Sequence, residues 1–493
     1  MSGIDGAMVA PAASSLPRPA WAAVAALAFV GLWLRIAAAH GGLWTDEAWS
    51  MAYAIEARDA IGVFLRINHD NNHHLNTLWL QFVGPNADPV LARALSIAAG
   101  TLAVPVAAVI GARRGGVVAA IAAAAAFAVA PIMVVYGSEA RGYGLLILAM
   151  PLAILLVDRW LDDPAARPPA FALALVTIFG LLSHLTMIVA VALLALWTYV
   201  ALRPRSGPRG AAIATLRLWL PAFGVALVLL AFIVIAALAS ATGPRIGGHV
   251  PFTLAGLGEA LGLLTAFTLG PAFVPAWIGP VLVGLGVLAL DQLGGLGPRR
   301  YFYLVTILLL PALVALVRPG NAEFARYFLV VAIGLLLLAA DLAARGWAKG
   351  GIVRAASALL LAAMLAAGLW RDAAAIDMRR GDPDDAIRAM AARAPDGARV
   401  QLVVERQTAV YRLSAARLRY PLLIARGCAP ADFWLVPLER PTPDRRLRDG
   451  CGRPWTLVGA RRVTGLSGDS WALYAPQALQ RSQAPVSGPP PIG

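Results

Sequence analysis

Long apolar stretches recur through residues 20–370, each close to the roughly 20 residues a helix needs to cross a bilayer. They fall near 20–39, 93–112, 116–135, 143–160, 170–184, 186–202, 217–239, 272–290, 301–317, 327–343 and 352–370, with mostly short polar connections between them. The pattern predicts an α-helical polytopic membrane protein of about eleven transmembrane helices. From Arg371 onward the apolar runs shorten to strand length, at 400–404, 433–436 and 471–474, behind a helix-like stretch at 384–393. The chain therefore divides into an N-terminal tail (1–19), a membrane domain (20–370), an α/β domain of ordinary size (371–481) and a Pro-rich tail (482–493) read as disordered.

Charge sets the orientation. The short connections on one side carry Arg113, Arg114, Arg203, Arg205, Arg209, Arg299, Arg300, Arg345, Lys349 and Arg354, as expected of cytoplasmic loops. A cytoplasmic N-terminus and an odd number of spans place the α/β domain outside, in the periplasm of an inner (plasma) membrane protein. Residues 251–270 bear on this parity. They are apolar enough to span, but Gly256, Gly258, Glu259 and Gly270 favour a helix lying along the surface. Cys428 and Cys451 are the only cysteines and both fall in the hydrophilic domain, which suits an oxidising compartment and a disulfide. Small residues Ala37, Ala38 and Ala39 look faintly like a cleavage site, but the stretch before them is too long and Arg35 interrupts its end, so the first helix is read as uncleaved.

Hydrophobic residues make up 59% of the 493 and charged residues 14%, a balance that no soluble chain of this length needs. The net charge of +14 would point to nucleic acid in a soluble protein. Here it is read as loop anchoring plus a basic extramembrane domain, with the lipid bilayer and no nucleic acid as partner.

Polar residues sort unevenly between the two sides. His40, His69, His73, His74, His184 and His249, all the histidines, fall outside, with Asp46, Glu47, Asp70, Glu139, Glu323, Arg141, Arg245 and Arg326. Ionisable residues at membrane depth mark sites by default, so the chemistry is expected on the outer face. Directly behind the first span stands Trp44-Thr45-Asp46-Glu47-Ala48. Its two acids lie within reach of a lipid headgroup and of water, where a carboxylate can serve as a base. The same residues also read as a helix start, with Thr45 or Asp46 as the cap.

The first outer loop, 40–92, is long enough to be functional. Residues 53–67 have helix-like apolar spacing with Arg58 and Arg66 on the polar side, which suits an interfacial helix. The segment Asn68-His69-Asp70-Asn71-Asn72-His73-His74 follows. If it is helical, His69 shares a face with His73, and Asp70 with His74. That spacing is compatible with a divalent metal or with a polar lining for a sugar or phosphate. No HExxH-type signature is present, so no cofactor is assigned. The second outer loop, Tyr136-Gly137-Ser138-Glu139-Ala140-Arg141-Gly142-Tyr143, reads either as a Glu–Arg pair that stabilises a turn or as an arginine presented to phosphate. Arg326-Tyr327 behind Glu323 repeats that choice, and Arg245 lies among flexible glycines between two spans.

Taken in order, Trp44 to Ala48, the His/Asn segment, Ala92-Arg93-Ala94-Leu95-Ser96, Tyr136 to Tyr143, Ser183-His184 and Arg326-Tyr327-Phe328 resemble membrane glycosyltransferases of the GT-C superfamily. The branch holding protein mannosyltransferases and the lipid A aminoarabinose transferase is the most similar, over residues 20–345. The resemblance implies transfer of a sugar from a polyprenyl-phosphate carrier to a hydroxyl of a glycan, lipid or protein acceptor on the outer leaflet. It implies that Asp46 is the catalytic carboxylate, with Glu47 beside it. Glu139, Arg141, Tyr143, Arg245, Arg326, Tyr327, His73, His74, Asp70 and His184 then form the donor-phosphate and substrate-binding set. The chain departs from the pattern after Asp70, where His-Pro-Pro and a Tyr are usual and Asn71-Asn72-His73-His74 stands instead. A transporter or flippase of an anionic lipid-linked sugar would use the same arginines but not the acid pair, and the internal repeats and broken helices common in transporters are not evident. An outer-face glycan polymerase or ligase is the related alternative.

Overall fold

A computed structural model of the chain describes residues 16–69, 72–240, 243–245, 247–248, 250–270 and 299–476. Helix α1 (Arg18–Ala38) is followed by three shorter helices, α2 (Thr45–Ala57), α3 (Ala60–Leu65) and α4 (His74–Val83). Then come α5 (Pro89–Val129), the short α6 (Pro131–Tyr136), α7 (Tyr143–Asp162), α8 (Ala170–Ser183) and α9 (Met187–Ala239). Helices α10 (Leu254–Leu269), α11 (Arg300–Val317), α12 (Leu329–Lys349) and α13 (Gly351–Met378) complete the bundle. Among the described residues, seven helices are long and apolar enough to cross a membrane, making the chain a multi-pass membrane protein. Apolar side chains such as Phe29, Phe171, Leu227 and Leu359 point outward, as lipid-facing positions should.

Two of the seven fold back on themselves. In α5 the backbone leaves helical geometry at Gly115 and Gly116, and Gly111 lies against the backbone of Ala119, which a straight helix would hold about 12 Å away. In α9 the break is at Gly207, with φ +68°, and Trp219 donates from Nε1 to Thr198 Oγ1 at 3.0 Å across the fold. Each predicted pair of spans (93–112 with 116–135, and 186–202 with 217–239) is thus one helical hairpin, α6 extending the first. The predicted span at 272–290 lies outside the described residues, as do 1–15 and 477–493. Small residues let the helices approach closely. A Cβ on Gly144 of α7 would come within 2.7 Å of the Cα and Cβ of Ser96 on α5.

Helix α10 lies along one end of the bundle. Its start meets Glu323 at Gly256, and near its end Phe267 carries the Arg371 guanidinium 4.7 Å from its ring centroid and lies beside Gly465 of the extramembrane domain. Both of its ends therefore sit on the side of that domain. The expected interfacial helix over 53–67 is instead two helices. Arg58 takes φ +66°, and Asp59 caps α3 by accepting from the Gly62 N–H at 2.6 Å.

Helix α13 runs past Arg371 to Met378 before the extramembrane domain begins. That domain holds a six-stranded mixed sheet in the order β2-β1-β3-β6-β5-β4. Its strands are β1 (Ala398–Leu402), β2 (Leu422–Ala425), β3 (Phe433–Pro437), β4 (Arg446–Arg448), β5 (Pro454–Arg461) and β6 (Trp471–Ala475). Parallel pairs β1–β2 and β1–β3 are linked through α15 (Thr408–Arg417) and a loop, while β3–β6, β6–β5 and β5–β4 are antiparallel. With α14 (Pro383–Ala391), helix α15 packs Ile387, Met390, Val410 and Tyr411 over Val400, Phe433 and Leu473 of the sheet. Cys428 and Cys451 are bonded, with Cα atoms 5.8 Å apart, tying the loop after β2 to the turn between β4 and β5.

At the far end of the bundle, arginines and acids form a buried clamp. Asp158 of α7 lies 3.4 Å from both Arg114 of α5 and Arg299, and Arg114 also donates to Tyr303 at 3.1 Å.

Closing a loop of 23 residues should stabilise the extramembrane domain by about 3 kcal/mol. Non-reducing peptide mapping should recover a Cys428–Cys451 cross-linked peptide, and reduction should lower that domain's unfolding midpoint without displacing the membrane helices. Free thiols in unreduced protein would contradict the pairing.

Candidate active site

Helix α2 begins where Trp44 takes an extended conformation and Glu47, three residues on, accepts from the Trp44 N–H at 3.3 Å. Neither Thr45 nor Asp46 is the cap; both lie in the first turn. Glu47 points into the protein and is fully buried. Arg93 of α5 donates to it from Nε at 2.8 Å and from Nη2 at 2.5 Å. The same guanidinium donates to the carbonyls of Ala39, Gly41 and Gly42 at 2.6, 2.8 and 3.0 Å. Burial opposes the charge on Glu47, but the Arg93 charge and hydrogen bonds outweigh it and hold the carboxyl below its usual range. No face of Glu47 remains for a substrate, which corrects its expected place beside Asp46 in the reaction.

Glu47 also accepts from the Ala140 N–H at 2.7 Å, at the centre of the 137–142 turn. Asn76 donates to the Ala140 carbonyl at 2.7 Å and Ser96 to the Arg141 carbonyl at 2.8 Å. Gly142 packs so closely on the Ser183 carbonyl that a Cβ has no room. The clamped turn directs Arg141 to Asp46, with Nη1 to Oδ2 at 2.8 Å. Arg326, on the single 3₁₀ turn Ala325–Phe328, brings its Nη1 to the same oxygen at 3.3 Å. Asp46, 26% exposed, is thus more open than either arginine it meets. Neither arginine pairs with the glutamate of its own loop. Glu139 is buried next to Ser467 of the extramembrane domain. Burial raises its pKa, with the Arg141 and Arg380 charges opposing.

Aromatic rings pack around the two arginines. Arg141 stacks over Tyr143 at 4.9 Å, and Arg326 over Phe324 at 4.2 Å and Tyr327 at 5.6 Å. His184 stacks on His73 at 4.7 Å and lies 4.6 Å from Tyr143 and 6.5 Å from Tyr327. Thr186 donates its backbone N–H to His184 Nδ1 at 3.1 Å, which makes that nitrogen an acceptor. Burial first, then the neighbouring positive groups, push the His73 pKa well below the usual imidazole value, so its ring is neutral at pH 7.

The remaining candidates go elsewhere. The described residues between α3 and α4, 66–69 and 72–73, are not helical: His69 packs on Tyr53 at 4.9 Å, and His74 on Phe64 at 5.0 Å. Burial lowers the His74 pKa to about 4. Asp70 and His249 lie outside the described residues. Arg245 pairs with Glu56 at 2.9 Å and donates its backbone N–H to the Asn68 carbonyl at 2.7 Å. With His69, His74, Asn72 and the apolar Val234 and Leu238 of α9, it lines a neighbouring cavity of about 280 Å³. Among the described residues, no group of three His, Cys, Asp or Glu could hold a metal ion.

Several residues that organise the site were not singled out from the sequence for such a role. Arg93 had a readable signal, a charge at the start of an apolar span. Asn76, Arg380 and Asp469 had none.

No protein-family model matches the chain, and no curated protein matches its sequence. Among solved structures it is similar to ArnT from Cupriavidus metallidurans bound to undecaprenyl phosphate, at 13% identity and a TM-score of 0.51. That match covers 93% of this chain and 98% of ArnT. It is also similar to the arabinofuranosyltransferase AftD from mycobacteria, at 16% identity and a TM-score of 0.48, covering 94% of this chain and 40% of AftD. The likeness to ArnT is one of fold: both chains share an arrangement in which a membrane helix bundle carries a small α/β domain.

Proposed function

We propose that the chain is an integral-membrane glycosyltransferase of the inner membrane with its site facing the periplasm. It moves a sugar from a polyprenyl-phosphate carrier to an acceptor hydroxyl. One observation carries the reading: a half-open carboxylate, Asp46, whose Oδ2 is shared by two arginines at one end of a membrane bundle. The ArnT structure holds undecaprenyl phosphate, which supports a carrier of that class.

The chemistry follows from charge. The acceptor oxygen attacks the anomeric carbon as the bond from that carbon to the phosphate oxygen breaks. The hydroxyl proton goes to Asp46, and negative charge builds on the leaving phosphate. Arg141 and Arg326, already oriented by the clamped turn and by their aromatic neighbours, neutralise that charge. Attack from the face opposite the phosphate inverts the anomeric centre. An arriving phosphate competes for both arginines and frees the Asp46 carboxylate to face the acceptor hydroxyl when donor is in place. Glu139 beneath Arg141, and the His73, His184, Tyr143 and Tyr327 wall, line the space for the donor. The neighbouring cavity with Arg245, His69 and His74 opens against α9 and suits the apolar carrier chain.

Asp46→Asn should lower transfer by about 10²–10⁴-fold. It should leave undecaprenyl phosphate binding intact or tighter, since a competitor for the arginines is gone. Product can be followed by mass spectrometry of envelope glycolipids in a strain lacking the chain and complemented with each variant. Near-normal product from Asp46→Asn would sink the assignment.

Arg141→Lys and Arg326→Lys should each weaken undecaprenyl phosphate binding by about tenfold or more, because a point charge cannot replace a planar fork. Unchanged binding in both would make the arginines structural partners of Asp46.

Arg93→Met should act on stability instead. It leaves the Glu47 charge buried and unpaired, a loss of about 3–5 kcal/mol. A thermal midpoint within a degree of wild type in detergent would contradict the role given to the pair.

A further inference from the structure

We propose that Asp469, on the loop joining β5 to β6, is a positioning residue for Asp46, so that the extramembrane domain is part of the reaction machinery. This rests on the reading of Asp46 as the base. At the start of α2 the Glu47 carboxylate serves the Trp44 N–H, and the next N–H, that of Thr45, needs another acceptor. The acceptor comes from the other domain: Asp469 Oδ2 takes the Thr45 N–H at 2.8 Å, one residue from Asp46.

The loop that carries Asp469 cannot slide. The Asp469 N–H donates to the Arg380 carbonyl at 3.1 Å, and Trp471 Nε1 donates to the Gly381 carbonyl at 2.5 Å. Gly468, at φ +119°, packs so tightly on the Arg380 backbone that a Cβ would come within 2.7 Å. Arg380 is itself buried and locked to the membrane domain. It donates to the carbonyls of Ala38 and Val135 and, at 2.8 Å, to Ser138 Oγ in the turn that aims Arg141. Two further bonds join the domains around α2, from the Gly42 N–H to Asp382 at 2.8 Å and from Trp49 Nε1 to the Arg406 carbonyl at 3.0 Å. The base and the arginine beside it are therefore referenced to one rigid corner of the sheet domain. A displacement of about 1 Å in such a group can cost about 10²-fold in rate.

The test compares Asp469→Ala, which removes the acceptor, with Asp469→Asn, which keeps an oxygen for the Thr45 N–H. In purified full-length protein, Asp469→Ala should speed amide hydrogen exchange in residues 45–50 at least tenfold. It should leave undecaprenyl phosphate binding within about threefold of wild type and lower product in the complemented strain at least tenfold. Asp469→Asn should recover most of the protection and most of the product. Wild-type exchange and product in Asp469→Ala would overturn the proposal. So would equal loss of product in both variants with residues 45–50 still protected, since Asp469 would then act through its charge. Should Asp469→Ala fail to accumulate, Asp469→Asn decides: substantial product upholds the proposal, and a folded protein with none overturns it. Asp46→Asn is carried in parallel. If it makes normal product, the base assignment falls whatever Asp469 does; if it is inactive and Asp469→Ala is not, only the present proposal falls.

Discussion

The buried pair of Arg93 and Glu47 is the constraint on which the rest of the site depends. One guanidinium fixes the exit from α1 through three carbonyls and turns α2 so that Glu47 faces inward. Through the second oxygen use of Glu47, at the Ala140 N–H, it also holds the turn that carries Arg141. Such a pair is a poor source of net stability, because desolvation offsets most of the attraction. Its value is geometric: with five donors in a rigid fork, Arg93 leaves few alternative arrangements for three separate chain segments. Once Glu47 is inside, helical geometry turns Asp46 toward the more open side, about 100° away around the helix axis.

That dependence explains what was legible in the sequence and what was not. Spans were legible because lipid demands uninterrupted apolar runs, and the glycine breaks at Gly116 and Gly207 fell between runs already separated by arginine. The acid pair was legible as a site, but not the division of labour within it. Two neighbouring carboxylates look alike until a partner fixes the rotation of their helix, and that partner lies 46 residues away in sequence. Arg141 and Arg326 were similarly open between pairing locally and facing outward; their meeting at one Asp46 oxygen is a tertiary fact. The His/Asn segment misled for a local reason. Asn72 donates its side-chain amide to the Val63 and Ile67 carbonyls at 2.7 and 3.2 Å, competing with the helix that the four-residue spacing suggested.

In the extramembrane domain the apolar runs of β1, β3 and β6 and the helix-like stretch at 384–393 stood out. Strands β4 and β5 did not, since Arg446, Arg448 and Arg461 break the apolar pattern at the sheet edge and its neighbour, and β2 is only four residues long. Edge strands carry charge to discourage pairing with other chains, so they are the strands that hydrophobic periodicity misses. The contribution of Asp469 to α2 had no local signature, being a single acid in a Ser-Gly-Asp-Ser loop.

The balance of charge around Asp46 gives the resting site its character. Two guanidiniums face one carboxylate, and Glu139, another acid near Arg141 among the described residues, is pushed by burial toward its neutral form. The neutral His73 ring adds no charge. Aromatic rings pack against both guanidiniums and hold them where a bound anion could meet them. The two arginines need not move far to accept one, because both are stacked on rings and aimed at the same oxygen. An anion that drew both arginines to itself would release the Asp46 carboxylate in the same event, so the contact that holds the two guanidiniums together at rest is the one an incoming anion would replace.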